Sequence, residues 1–210
     1  MRLEIKDVIH NAPIPDRFAF GVADEETHVV LGENLNPAVS WSDLPDGTRS
    51  LILICVDSDV PTKPDDVNQE DRAVPADLPR TDFYHWTMVD IPPQSAGIEE
   101  GSCSHGVTAR GKRNPGGPEG SRQGMNDYTG WFEGDPDMGG TYLGYDGPCP
   151  PWNDSILHHY HFILYATDLD RCAVDGNFGG AEVQDAIAGH VLGEARVTGT
   201  YTLNPGILSR

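Results

Sequence analysis

The run Leu51-Ile52-Leu53-Ile54-Cys55-Val56 limits what this chain can fold into more than any other stretch. In a strand, successive side chains point to opposite faces. Six apolar residues in a row therefore leave no face for water, and the strand must lie between two apolar layers. Turn-forming residues bound it, Pro45-Asp46-Gly47 before and Asp57-Ser58-Asp59 after. It is far shorter than the ~20 apolar residues of a membrane helix, and no other segment comes nearer. The sequence does not read as an integral membrane protein.

Around that strand the pattern is mostly β. Residues 1–7 alternate apolar with charged side chains and read as a first strand, and Thr27 to Leu31 as another. Phe83 to Ile91 is a strand ended by Pro92-Pro93, with His85 and Trp86 expected on opposite faces. Ile156 to Ala166 and Ala195 to Leu203 complete the set. One helix is expected over residues 180–193, because Val183, Ile187 and Val191 recur at helical spacing with His190 beside them and Gly193 to stop it. Residues 101–151 are rich in Gly and Pro but carry Met125, Tyr128, Trp131, Phe132, Tyr142 and Tyr145, enough bulk to pack as ordered irregular structure. Residues 62–82 read as an acid-rich loop. The whole, 1–210, reads as one mainly β domain: an antiparallel sandwich with a peripheral helix and no βαβ alternation.

Charge narrows the function classes. The chain has 33 acidic against 14 basic residues, only three of them Lys, for a net charge of −19. Nucleic-acid binding requires a basic face to neutralise phosphates, so that class is excluded. An Asp-rich, Lys-poor surface suits a cytoplasm full of screening salt, so a halophilic source is expected. The N-terminus lacks the apolar core of a secretory signal, which gives a cytoplasmic expectation. The four cysteines are widely spaced with no CxxC pair, neither a zinc framework nor a disulfide scaffold.

Three segments gather polar and conformationally restricted residues at strand ends: Asp57-Ser58-Asp59-Val60-Pro61, His85, and Gly147-Pro148-Cys149-Pro150-Pro151 running on to His158-His159-Tyr160-His161. Each has a bland reading, as turn capping, a structural histidine and a rigid corner. Strand alternation separates His158 and Tyr160 from His159 and His161. A site of Asp57, His85, His158 and Tyr160 joins imidazoles, a phenol and one carboxylate that charges an imidazole. Imidazolium, phenol and backbone N–H groups then receive a small anion without Lys or Arg. Two alternatives use the same residues: a hydrolase with an Asp/His acid–base pair, for which no G-x-S-x-G elbow exists, and a zinc site on Asp57, His85 and His158.

Seven segments in order carry a resemblance. They are Gly32 to Trp41, Asp57-Ser58-Asp59-Val60-Pro61, His85-Trp86, Arg122 to Asp127, Gly147-Pro148-Cys149-Pro150-Pro151, His158-His159-Tyr160 and Gly189-His190-Val191-Leu192. Together, over residues 15 to 203, they resemble the phosphatidylethanolamine-binding protein family, in its bacterial and archaeal Raf-kinase-inhibitor-like branch. The resemblance implies a central antiparallel sheet packed on a smaller one, with peripheral helices. It implies no cofactor, a binding or regulatory role, and an anion pocket for phosphate or a phosphorylated group, with a homodimer as the assembly. Residue by residue, that pocket falls on Asp57, Asp59, His85, Gly147, Pro148, Pro151, His158 and Tyr160. Ser58 departs from the family's Asp-Pro-Asp-x-Pro, and the acidic 62–82 insertion borders the pocket mouth. Asn34 to Trp41 and Asn126-Asp127 read as turn and cap residues that hold the fold.

Overall fold

A computed structural model describes residues 1–208. The apolar run becomes the centre of β5 (Ser50–Pro61), which pairs antiparallel with β6 (Arg80–Ile91) on one side and β8 (His158–Thr167) on the other. With β7 (Arg122–Gln123) and β9 (Val191–Tyr201) at the edges, the sheet runs β7-β6-β5-β8-β9. Two short antiparallel pairs accompany it, β1 (Arg2–Ile5) with β4 (Val39–Ser42) and β2 (Gly21–Asp24) with β3 (His28–Leu31). No helix among the described residues is long and apolar enough to cross a membrane.

Both faces of β5 are covered, as its composition requires. Leu51, Leu53 and Cys55 face a core that includes Ile5 and Val39 of the small β1–β4 sheet, Trp86, Tyr145 and Phe162. Ile52, Ile54 and Val56 face the opposite way, against Phe178, Val183 and Ile187 on and beside α2 (Gly180–Ala186). Burial of these side chains, worth about 1.5–3 kcal/mol each, holds the layers together. Two more helices, α1 (Tyr128–Trp131) and α3 (Pro205–Leu208), are single turns at the periphery.

Three expectations are corrected. The helix stops at Ala186, and Val191 begins β9, half in solvent. Val183 and Ile187 are one buried helical pair, but the third apolar residue belongs to a strand; Gly189, at φ 84°, makes the turn between them. Gly193 thus lies in β9, and His190 is exposed and paired with Asp168 at 2.9 Å rather than packed. The strands flanking the acidic insertion extend to Pro61 and from Arg80, so only 62–79 is loop.

The third correction matters to the site. Cys55 stands opposite Trp86, but Val56 stands opposite Tyr84, so His85 is an extra residue bulged into β6. A bulge re-aims a side chain that alternation would send elsewhere. His85 therefore turns to the side of Trp86, with its ring centre 5.1 Å from that of Tyr160, instead of to the opposite face.

Candidate functional site

Asp57 sits near the end of the apolar run of β5, where the strand emerges from the core, and is 1% exposed. Its Oδ1 accepts the Asp59 backbone N–H at 2.8 Å, the turn-capping role anticipated for it. Its Oδ2 lies 2.7 Å from Nδ1 of His158. The other ring nitrogen, Nε2, lies 3.1 Å from Oδ2 of Asp154, which in turn receives Arg80 Nη1 at 2.6 Å. A row of alternating charge, Arg80–Asp154–His158–Asp57, thus runs through the protein to the cavity wall. Burial opposes charge on His158, but the two carboxylates outweigh it and raise its pKa to about 9. Burial likewise works to raise the Asp57 carboxyl, and the His158 imidazolium more than reverses it. Asp57 is an anion and His158 a cation with both N–H groups committed to carboxylates.

His85 is differently set. Its Nδ1 lies 2.8 Å from the backbone carbonyl of Asp146, which only accepts, so Nδ1 carries the hydrogen. Nε2 has no hydrogen-bond partner among the described residues. Burial lowers the pKa of His85 against the opposing pull of Asp57 and Asp146. The ring is neutral at pH 7 and presents an acceptor.

The corner at 147–151 is held by backbone contacts. The Gly147 carbonyl accepts the Tyr128 hydroxyl at 2.8 Å, its N–H donates to Asn34 Oδ1 at 2.8 Å, and the Pro148 carbonyl accepts Phe20 N–H at 2.9 Å. A Cβ on Gly147 would stand 1.8 Å from the Phe18 carbonyl oxygen, so only glycine fits.

These groups enclose a cavity of about 170 Å³, room for a small ligand group rather than a single water. Asp57, His85, Pro151 and Tyr160 line it, together with an aromatic wall that includes Phe20, Phe83, Tyr128 and Trp131. The Tyr160 hydroxyl is buried and has no well-formed hydrogen bond among the described residues, the Asp57 carboxylate being the acceptor near it. Burial, with the Asp57 charge beside it, pushes that phenol well above its ordinary pKa, so it is a donor. The cavity therefore has a donor and an acceptor waiting in an aromatic shell, the usual make-up of a small-molecule site.

The structure thus brings together Asp57, His85, Pro151 and Tyr160. His158 stands directly behind Asp57, and Gly147 and Pro148 form the back of the corner. Asp59 goes elsewhere: its Oδ2 accepts both the backbone N–H and the ring Nδ1 of His159, each at 2.8 Å, in the group of polar side chains on the outer face. Sequence reasoning missed Asp154 and Arg80, which join across 74 positions, and the aromatic wall, whose Phe20 precedes any motif. The one local signal was Asp154 four positions before His158. Cys149 also lines the cavity, with burial raising its thiol to about 12.

Fold and cavity together define a β-sandwich domain with an aromatic-walled cavity at one end of its central strands. The family model for phosphatidylethanolamine-binding protein matches residues 4–202, and the chain belongs to that family. It is 38% identical over 172 residues to a UPF0098 protein of Methanothermobacter thermautotrophicus, covering 81% of this chain and 84% of the relative. Against Escherichia coli YbhB it is 27% identical over 202 residues, covering 96% and 100%. Its fold matches the crystal structure of Escherichia coli YbcL, described as a new member of the mammalian PEBP family. That match has a TM-score of 0.66 at 24% identity and covers 96% of this chain and 97% of the other.

Proposed function

We propose that the protein binds a small anion, a phosphate or the phosphoryl group of a larger molecule, in the cavity of Asp57, His85 and Tyr160, and acts by binding rather than by turnover. The observation that carries the reading is the buried Tyr160 hydroxyl, without a well-formed hydrogen bond, beside the His85 ring, whose centre lies 5.1 Å from that of Tyr160. The phenol donates to an anionic oxygen. His85 accepts the hydroxyl proton of a monoprotonated phosphate, or takes up a proton and donates to the anion. Asp57 does not repel the ligand as a bare carboxylate would, because His158 compensates it 2.7 Å away.

The other two readings lose support on the same geometry. His158 spends both ring nitrogens on carboxylates and has no lone pair to give a zinc ion. The hydrolase reading weakens in the same way, because His158, charged between Asp57 and Asp154, has no lone pair with which to take a proton as a general base.

Calorimetric titration with O-phosphorylethanolamine and with inorganic phosphate, at high salt, tests the proposal. The wild type binds, and Tyr160→Phe binds at least tenfold more weakly, the loss of one hydrogen bond to a charged oxygen. Equal affinity in the two proteins overturns the role given to Tyr160, and no binding by either overturns the proposal.

A further inference from the structure

Two segments that read as fold-holding in the sequence meet on one carboxylate behind His85. Asp146 is wholly buried, and its carboxylate receives Asn34 Nδ2 at 2.7 Å, Asn126 Nδ2 at 2.8 Å and Lys112 Nζ at 2.6 Å. The same residue offers its backbone carbonyl to His85 Nδ1 at 2.8 Å and its N–H to the His85 carbonyl at 3.0 Å. Lys112 is one of only three lysines in the chain, and its side chain is 12% exposed. Sinking an ion pair this deep costs desolvation that apolar residues would avoid. Its placement gives it a use.

We propose that Asp146, neutralised by Lys112, is the positioning residue that fixes the direction and tautomer of His85 and so sets the pH range in which the cavity takes an anion. The inference rests on the cavity reading above. A clamped carbonyl at Nδ1 forces the ring hydrogen there and leaves Nε2 as the free nitrogen. The charged and titratable groups facing His85 are Asp57 from β5, Tyr160 from β8, Tyr128 from α1 and Asp146 from the corner. Asp57 is balanced by His158 and Asp146 by Lys112, so the ring sits between two compensated carboxylates. Only the Asp57 side belongs to the cavity wall. Altering the Asp146 side changes the backing and leaves the wall intact.

The test is side-chain ¹⁵N NMR titration of His85 in the wild type, Asp146→Asn, Lys112→Met and Lys112→Arg, with sulfate and phosphate affinity measured over the same pH range. Asp146→Asn removes a negative charge that favours the imidazolium, so the His85 midpoint falls by roughly one unit. Lys112→Met leaves the carboxylate uncompensated, so the midpoint rises; Lys112→Arg restores it. The pH dependence of sulfate binding, which needs the protonated ring, moves in the same directions. A purely structural role does not produce opposite shifts from two sides of one ion pair. Folded variants whose His85 midpoints stay put, or all move one way, overturn the inference. Midpoints that move as stated in a protein that binds no phosphate at any pH uphold the positioning role and overturn the cavity reading instead. If Asp146→Asn fails to fold, the contrast of Lys112→Met with Lys112→Arg carries the test.

Discussion

His158 and Asp57 form a buried ion pair 2.7 Å long, with the imidazole wholly buried and the carboxylate 1% exposed. Breaking such a pair leaves an uncompensated buried charge.

The pair makes stability depend on alkaline pH. In the folded protein His158 titrates at about 9, and in the unfolded chain near 6.5. A raised pKa stabilises fully below the unfolded value and is lost as pH climbs through the folded one. Between those limits the folded state holds one proton more, so stability falls by about 1.4 kcal/mol per pH unit, ~3 kcal/mol in all. His85, with its lowered pKa, acts in the opposite sense and only below pH ~6.5, so it does not blur this window. Denaturant unfolding at intervals from pH 6 to 9.5 measures the slope; a flat profile refutes the charged state of His158.

Tyr160→Phe separates stability from binding. Removing a hydroxyl that is buried without a well-formed hydrogen bond costs the ligand-free protein little, so the variant's stability stays within about 1 kcal/mol of wild type while its phosphate affinity falls. Thermal unfolding without ligand checks the first half. A variant destabilised by more than that would mean that the hydroxyl is well partnered in the free protein.

Gly147→Ala acts through the backbone. The added methyl meets the Phe18 carbonyl oxygen at 1.8 Å, and that strand of chain cannot retreat because Ala19 N–H is bonded to Asp16 and Tyr145 donates to Phe18 at 2.7 Å. A loss of about 3 kcal/mol is expected by chemical denaturation. An unchanged midpoint would show the corner to be looser than described.

Much of the architecture was legible because the strongest signals are local. Leu51 to Val56 announces a two-sided strand from composition alone, and the corner announces itself through its prolines. The resemblance then placed the fold and four cavity-lining residues. What could not be read is non-local. Nothing in the sequence marks His85 as a bulge, because a bulge is a mismatch between two strands and each alone looks regular. Val191 was misassigned because one residue at helical spacing weighs little against its ladder with Thr167. Asp59 and Asp57 look equivalent two positions apart, yet Asp57 turns into the cavity and Asp59 turns out to His159. Arg80, Asp154, Lys112 and Asp146 find one another only after folding.

The net charge of −19 makes salt a variable of stability. Self-repulsion is screened as the Debye length shrinks from ~10 Å at 0.1 M to ~3 Å at 1 M salt. The unfolding midpoint is expected to rise over that range, as for a protein adapted to a salt-rich interior. A midpoint indifferent to potassium chloride would remove the halophilic expectation.

Anion binding controlled by His85 is the property most directly open to measurement. Sulfate carries no proton of its own between pH 5.5 and 8, whereas phosphate does, and calorimetric titration of each at several pH values, in wild type and in His85→Ala, distinguishes them. We predict that phosphate binds the wild type across the range, that sulfate binds only as pH falls and His85 takes up its proton, and that His85→Ala binds neither. A folded wild-type protein that binds no anion at any pH, sulfate bound by the wild type as tightly at pH 8 as at pH 5.5, or a folded His85→Ala that binds phosphate as the wild type does, contradicts this prediction.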